Sequence, residues 1–420
     1  MKTLLKNARI LKRVEEEIFR GEILVDEDRI EYIGEKYEGK VDKEIDCEEN
    51  LVMPGFKNMH AHSAMVFLRS FADDLSLQDW LFTKVFPYEE KLEPEDIYWL
   101  SQLGFLEYLT SGITEAFDMY FYPKEIKRAA EDFGFREKIL LMPNTTDRTS
   151  SECIKLYREN KSDLVQYRIG LHAEYTASEE ELDETKKVIE ELKVPFFTHL
   201  AETKTEVEGC KERRGGKTLA EFFESRGFFE YGGGAFHCCY MTKKDLEIFK
   251  RRGVSVITCP SSNLKLASGI AEIEKMREMG INLAIGTDGA ASNNCLDMFR
   301  EMFLATGLQK VLRKDSAVMP AEEILKMVTS GGARAVYGEE TGVLEKGKKA
   351  DLIMIDLGRP NMKPEHNIVK NLVYAGSKEN VKMTMINGKI LYFNGEFKTG
   401  NSAERIFSEC EKITRRIVGE

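Results

Sequence analysis

The sequence has no Cys-x-x-Cys pair, no long apolar run and few histidines. The first two absences each argue against a class of protein. The eight cysteines show no Cys-x-x-Cys spacing, which argues against a zinc–thiolate site and favours reduced, mostly buried thiols. No stretch approaches the ~20 apolar residues of a membrane helix, and the N-terminus lacks the apolar core of a signal peptide. We therefore expect a cytoplasmic protein that does not contact a membrane.

Excess positive charge is also missing. The chain has 61 Lys and Arg against 72 Asp and Glu, a net charge of −11, and no basic stripe. Such a chain is a poor nucleic-acid ligand, so we expect a small-molecule partner instead. Its 420 residues exceed the ~250 that one α/β barrel needs.

The middle of the chain alternates short apolar runs with amphipathic helical stretches. Eight such runs, each followed by a helical or loop segment, are typical of an α/β fold with a (β/α)8 barrel of the TIM type. The predicted strands are Phe56–Met59, Thr114–Phe117, Ile139–Pro143, Arg168–Leu171, Pro195–Thr198, Ala235–Phe236, Val254–Thr258 and Asn282–Ile285.

Both ends of the chain are rich in predicted strands. Four short strands precede Pro54, and four more follow Ala335, at Asp351–Ile355, Asn371–Tyr374, Lys382–Ile386 and Lys389–Phe393, with Asn-Gly hairpin turns. We expect the two ends to pair as a small β-sandwich domain, closed by a helix over Ser402–Val418. The predicted domains are 1–55 and 341–420 for the two parts of the sandwich and 56–340 for the barrel.

Histidine is scarce, with six residues in the chain, and five of the six lie where apolar runs end. They are His60, His62, His172, His199 and His237, and Asp288 closes the series. In barrels of this type the carboxyl ends of the strands form the catalytic face. Neutral imidazoles with one carboxylate suit a catalytic divalent ion, and no lysine near His172 offers a bridge for a second ion. The pattern predicts one ion that activates water. The alternative is a group of core histidines bonded to backbone.

Two further residues carry acid–base chemistry in this interpretation. Glu202, three residues after His199, is predicted to shuttle a proton beside the ion, although it also suits a helix N-terminus. His237 is either another ligand or an imidazole that orients the attacking water. Asp288 lies among small residues that let the backbone pass close to a ligand.

These segments resemble the amidohydrolase superfamily, and in particular its 5-methylthioadenosine/S-adenosylhomocysteine deaminases. The resemblance spans essentially the whole chain and rests on PGFKNMHAHSAM, WLFTKVFPYEE, FTHLAET, FHCC, SSNLKL, IGTDGAASNN, HNIVKNLVYAG and MINGKILYFNGEF. It implies that one Zn²⁺, with Fe²⁺ as the alternative, is held by His60, His62, His199 and Asp288.

The resemblance also implies catalytic roles. Glu202 would protonate the purine ring nitrogen, Asp288 would accept a proton from water, and His237 would stabilise the tetrahedral adduct. His172 would bond the other edge of the purine. Glu89 would bind the ribose hydroxyls, and Trp80 would line the pocket; the alternatives are a surface charge for Glu89 and a core position for Trp80.

The chain departs from the family pattern where the substrate tail would bind. Leu141 occupies the position of one arginine that suits the amino-acid tail of S-adenosylhomocysteine, and Arg148 is the remaining candidate for the other. Methylthioadenosine, 5′-deoxyadenosine or adenosine thereby become better candidates. Glu174 is an additional carboxylate expected to alter the pocket.

The sequence therefore predicts a hydrolytic deaminase of adenine nucleosides that releases ammonia. One alternative is a related enzyme acting on a guanine, cytosine or triazine ring. Another is a barrel without catalysis, kept for assembly or ligand binding. Barrels of this type often assemble, so a homo-oligomer is among the expectations.

Overall fold

A computed structural model describes residues 1–144, 149–338 and 340–419. In chain order the strands are β1 (Lys2–Ile10), β2 (Phe19–Asp26), β3 (Arg29–Gly34), β4 (Lys43–Asp46), β5 (Leu51–Pro54), β6 (Phe56–Ala61), β7 (Ile113–Asp118), β8 (Arg136–Leu141), β9 (Val165–Gly170), β10 (Phe196–Leu200), β11 (Gly233–His237), β12 (Val254–Thr258), β13 (Leu283–Ile285), β14 (Leu352–Ile355), β15 (Val381–Ile386), β16 (Lys389–Phe393) and β17 (Glu396–Phe397).

The α-helices fill the connections between the strands. They are α1 (Leu77–Trp80), α2 (Phe86–Glu89), α3 (Pro94–Thr110), α4 (Pro123–Phe133), α5 (Ser150–Glu159), α6 (Glu179–Leu192), α7 (Lys204–Arg213), α8 (Leu219–Ser225), α9 (Lys243–Arg252), α10 (Pro260–Lys265), α11 (Ile273–Glu278), α12 (Ala290–Asn293), α13 (Met298–Arg313), α14 (Ala321–Met327), α15 (Ser330–Ala335), α16 (Ile368–Tyr374) and α17 (Ala403–Val418). A π-helical turn, Leu81–Val85, joins α1 to α2.

Strands β6 to β13 form one parallel sheet in the order of the chain, as the alternating pattern predicts. The sheet nearly closes where β13 returns to β6. There the Asp288 amide donates to the carbonyl of His60 at 2.9 Å, and the Asn58 side chain donates to Thr287 Oγ1 at 2.7 Å. The fold is a (β/α)8 barrel, and its closure brings the first and last strands together at the carboxyl-terminal face.

The barrel interior has an apolar layer below that face. Met59, Phe117, Leu140, Phe197 and Ile257 pack there as one buried cluster. Large side chains of this kind fill the barrel centre, so the interior is a packed core and any ligand must bind at a rim.

A buried charged layer lies beneath the apolar one. Lys57 Nζ lies 3.1 Å from a Glu115 carboxylate oxygen, and both side chains are completely buried. Lys138 Nζ approaches the same carboxylate at 2.9 Å. The two ammonium groups hold the pKa of Glu115 far below its ordinary value, against a burial effect in the opposite direction.

The two chain ends form the second sheet. Its nine strands run β17-β16-β15-β14-β5-β1-β2-β3, with β4 paired to β1, so β5 and β14 join the N-terminal strands to the C-terminal ones. The Asn387-Gly388 turn between β15 and β16 has φ values of 52° and 74°, as an Asn-Gly hairpin requires. The sheet has its own apolar core, which includes residues from both ends.

One predicted strand is wrong. Residues Asn371–Tyr374 lie in α16, which begins after Asn367, whose side chain accepts from the Lys370 amide at 2.8 Å. A short apolar run suits a strand or a buried helical turn equally, and here the cap and the burial of Leu372 and Val373 favour the helix. The sheet also gains β4, whose polar sequence Lys-Glu-Ile-Asp gave no strand signal.

Within the described ranges, every helix is too short or too polar to cross a bilayer.

Candidate active site

Three histidines and one aspartate meet at the carboxyl end of the barrel. His60 lies in β6 and His62 just beyond it, while His199 lies in β10 and Asp288 follows β13. His199 Nε2 is 3.0 Å from His60 Nε2, and Asp288 Oδ1 is 3.2 Å from His62 Nε2 and 3.6 Å from His60 Nε2. One nitrogen from each histidine lies within 4.8 Å of the others.

The hydrogen bonds of these rings indicate which nitrogen faces inward. His62 Nδ1 donates to the Met119 carbonyl at 2.6 Å, and His199 Nδ1 donates to the His172 carbonyl at 2.7 Å. Because a carbonyl only accepts, both rings carry the Nδ1 proton and direct Nε2 into the cluster. Backbone partners of this kind orient metal-bound imidazoles.

The charges of the cluster also suit a cation. Burial lowers the pKa of His60 and of His199 well below 6.5, so both imidazoles are neutral. Burial alone would raise the pKa of Asp288, but the bond from His62 and the other nearby imidazoles hold it well below 3.8. Two neutral rings whose Nε2 atoms face each other at 3.0 Å, beside an ionised carboxylate, form a donor set that fits a divalent metal ion.

Glu202 lies at the start of the loop between β10 and α7. Its Oε1 accepts from Ser268 Oγ at 2.9 Å, and its amide donates to Glu206 at 2.7 Å. Glu206 is also the third residue of the capping box that opens α7. Burial raises the pKa of Glu202, so its carboxyl keeps a proton to higher pH than an exposed glutamate.

His237 ends β11 beside Glu202. Its Nδ1 bonds Asn263 Oδ1 at 2.8 Å, which puts the ring proton on Nδ1. Its Nε2 lies 3.9 Å from Glu202 Oε2. His237 has a φ of 68° and Asp288 a φ of 61°, left-handed conformations that are costly for such residues and cluster at functional sites. No local sequence signal predicts this backbone strain.

The structure brings two predicted substrate contacts to the edge of the cluster. The His172 ring lies 4.7 Å from the His199 ring, and burial lowers its pKa to about 4, which keeps it neutral. Glu89 is buried, and Tyr120 Oη donates to it at 2.6 Å, while the Tyr120 ring lies 6.4 Å from that of His62. The surface alternative for Glu89 is therefore wrong.

Of the remaining predicted residues, those that the structure describes form no bond to the cluster. Trp80 packs in the main apolar core, and Arg148 lies outside the described residues. Leu141, at the end of β8, is completely buried. The Glu174 carboxylate is buried and bound by Arg213 Nη2 at 2.5 Å and by Arg214 Nε at 2.6 Å, so its charge is compensated, and its effect on the pocket stays a prediction.

Some residues near the cluster escaped prediction. Cys259 offers its sulfur within 4.8 Å of nitrogens of His60 and His237, but burial raises the pKa of its thiol well above 9, so it presents no thiolate. Ser262, Asn263 and Ser268 each bond a residue of the site. The sequence indicates the segment SSNLKL only through the family resemblance, because serines and asparagines have no distinctive spacing there.

The arrangement supports hydrolysis at a polarised carbon. It combines a donor set that fits a cation, the Asp288 carboxylate with its lowered pKa, the Glu202 carboxyl with its raised pKa, and the His237 imidazole beside Glu202. These are the parts that general acid–base catalysis with an activated water requires.

Comparison with known proteins agrees with this chemistry. The model of the amidohydrolase family matches residues 51–391. A 5-methylthioadenosine/S-adenosylhomocysteine deaminase of Caldanaerobacter subterraneus is 38% identical over 430 aligned residues, covering 100% of this chain and 99% of that protein.

Two solved structures show the same architecture. An adenosine deaminase from Xanthomonas campestris, with bound zinc, has a TM-score of 0.93 and 28% identity, over 100% of this chain and 99% of the other. A triazine hydrolase from Arthrobacter aurescens has a TM-score of 0.90 at 20% identity, over 98% and 99% of the two chains. The second likeness shows the fold alone.

Proposed function

We propose that this chain, which belongs to the amidohydrolase family and is a hydrolase of C–N bonds, deaminates adenine nucleosides. The product would be the inosine analogue, with ammonia released. The observation that carries the proposal is that the carboxyl of Glu202 lies beside the candidate cation site, 3.9 Å from His237 Nε2. The full-length likeness to a curated methylthioadenosine/S-adenosylhomocysteine deaminase supports the substrate class.

We propose that His60, His62, His199 and Asp288 hold one divalent ion, and that the ion is Zn²⁺. When bound, it would supply a strong nucleophile from water near neutral pH. The zinc named for the Xanthomonas adenosine deaminase supports this choice.

The protein's own groups would then move the protons. Asp288, ionised because the neighbouring imidazoles lower its pKa, would accept a proton from the attacking water. Glu202, whose buried carboxyl has a raised pKa and so holds a proton more readily than an exposed glutamate, would donate to the ring nitrogen beside the attacked carbon. His237, whose Nδ1 proton is bound by Asn263, would accept a hydrogen bond at Nε2 from the attacking hydroxyl and so hold the adduct in place. Return of a proton to the amino group lets ammonia leave and the ring carbonyl form.

Three residues would hold the nucleoside. His172, neutral near pH 7, would bond the far edge of the purine. Glu89, held by Tyr120, would accept hydrogen bonds from the ribose hydroxyls. Trp80 would form part of the pocket wall.

We infer that the 5′ substituent is short or apolar. The resemblance implies that Leu141 stands at the position of one of the two arginines that would bind an amino-acid tail, and it offers no charge there. Methylthioadenosine, 5′-deoxyadenosine and adenosine should therefore exceed S-adenosylhomocysteine in kcat/KM.

The test is a substrate panel assayed with zinc-loaded protein. The panel holds these four nucleosides with guanine, cytosine and a chlorotriazine, and deamination of adenine nucleosides is followed by the absorbance change from adenine to hypoxanthine. Turnover of one or more adenine nucleosides is expected, and protein stripped of metal should be inactive. Turnover confined to guanine, cytosine or the triazine would overturn the adenosine proposal.

A further inference from the structure

Three side chains in residues 260–268, α10 and the turn after it, bond three different groups of the site. Ser262 Oγ donates to Asp288 Oδ2 at 2.6 Å, and Asn263 Oδ1 accepts from His237 Nδ1 at 2.8 Å. Ser268 Oγ donates to Glu202 Oε1 at 2.9 Å. We propose that Ser262, Asn263 and Ser268 are positioning residues for the deamination, an inference that rests on the function proposed above.

The two serines act on their carboxyl groups in the same way. Ser262 binds Oδ2 of Asp288 and leaves Oδ1 directed at His62, 3.2 Å away. Ser268 binds Oε1 of Glu202 and leaves Oε2 directed at His237, 3.9 Å away. In each case the serine holds one oxygen as an acceptor and the other oxygen faces an imidazole of the site, although Oδ1 of Asp288 also accepts from the Gly289 amide at 2.8 Å.

This arrangement determines where the acidic proton lies. Because Oε1 of Glu202 accepts from Ser268, a proton bound by this carboxyl would lie on Oε2, which faces His237. Without Ser268 the proton would reside on either oxygen, and the carboxyl would rotate more freely. A misdirected acid costs rate without loss of substrate binding.

The positioning residues are rigidly held. Ser262, Asn263 and Ser268 are all buried, and the Ser268 amide donates to the Asn263 carbonyl at 2.9 Å. At the start of α10, the Ser261 amide donates to Glu301 at 3.0 Å, which anchors the helix to α13. One short segment therefore orients the proton acceptor, the imidazole and the acid together.

The same helix offers a matched control. Ser261 is nearly as buried as Ser262, but its side chain interacts with Glu301 of α13 rather than with a residue of the site. Ser261→Ala thus removes a buried hydroxyl from the same helix without removing a bond to the site.

The experiment compares Ser262→Ala, Ser268→Ala and Ser268→Thr with Ser261→Ala. Zinc affinity is measured by competition with a chromophoric chelator, and kcat and KM are measured on the nucleoside that turns over fastest. Ser262→Ala should weaken zinc binding about 10- to 100-fold. Ser268→Ala should lower kcat about 10- to 100-fold with KM and zinc affinity unchanged, and Ser268→Thr should recover most of the loss.

Two results would overturn the inference. One is a Ser262→Ala or Ser268→Ala variant that matches Ser261→Ala in both zinc affinity and kcat; the other is a parallel loss of folding in all three alanine variants. If wild-type protein turns over no adenine nucleoside, the proposed function fails, and the zinc affinity of Ser262→Ala still tests positioning at Asp288.

Discussion

The Nε2 atoms of His60 and His199, 139 residues apart in the chain, lie 3.0 Å from each other. The Nδ1 proton of His199 is bonded to the His172 carbonyl, so its Nε2 is an acceptor, and two such nitrogens are stable neighbours only when a proton or a cation lies between them. The barrel therefore brings together ligands that no local segment supplies.

Metal removal should abolish activity and lower stability. A chelator should eliminate nucleoside turnover, and one equivalent of Zn²⁺ should restore it. Zinc at 100 times its dissociation constant should add about 2.7 kcal/mol to the free energy of unfolding. Thermal unfolding with and without zinc checks this, and His199→Ala should show no zinc-dependent shift.

Glu202→Gln should separate catalysis from metal binding. The amide keeps the shape and the bond from Ser268 but donates no acidic proton, so kcat should fall about 10²- to 10⁴-fold. Zinc content, measured by elemental analysis, should stay near one per chain. A kcat within threefold of wild type would show that another group supplies the proton.

Glu89→Gln should discriminate nucleosides from free bases. Loss of the charged acceptor should raise KM for ribose-containing substrates about tenfold, because a hydrogen bond to a charged group contributes about 1.5–3 kcal/mol. Turnover of free adenine, where measurable, should not change. Equal effects on adenine and adenosine would contradict a ribose contact.

Glu301 should make stability depend on pH. Burial raises its pKa to about 7 from an ordinary 4.5, so the unfolded chain loses this proton at lower pH than the folded one. Its contribution to stability is complete below pH 4.5 and is lost as pH rises through 7, by roughly 3 kcal/mol in all.

Glu301→Gln should flatten that part of the profile. Denaturant unfolding at pH 5, 6, 7 and 8 gives the difference between wild type and variant, which should change by roughly 3 kcal/mol in the variant's favour across the series. A difference that is constant with pH would show that Glu301 does not titrate in this window.

The stability of the protein should be sensitive to the loss of either partner in the buried Lys57–Glu115 pair. Lys57→Met leaves Glu115 buried with less compensation and should destabilise the protein by about 3–5 kcal/mol. Lys36, paired with Glu38 on the surface, is the control, and Lys36→Met should change stability little. Equal effects of the two substitutions would contradict the role of burial.

Much of the fold could be predicted from the sequence because the barrel strands are short apolar runs separated by amphipathic helices. The runs at Val254–Thr258 and Phe56–Met59 coincide with β12 and most of β6. The site was readable for the same reason, since its histidines and Asp288 follow strands whose carboxyl ends share one face.

Other features depend on contacts distant in sequence. Residues Asn371–Tyr374 are helical because of a cap and tertiary burial, which a four-residue apolar run does not reveal. The left-handed backbone at His237 is enforced by its surroundings rather than by a glycine. The bond between Ser268 and Glu202 spans 66 residues, and neither residue type signals it.

The barrel closure has a consequence for how the protein matures. The Asp288 amide reaches the His60 carbonyl only when the last barrel strand docks on the first, so a chain synthesised only as far as residue 287 lacks one of the four proposed ligands. High-affinity uptake of the ion should thus occur late, after most of the polypeptide has been synthesised. Bound metal would then indicate that the barrel is closed, and it would stabilise the contact between β13 and β6 against opening.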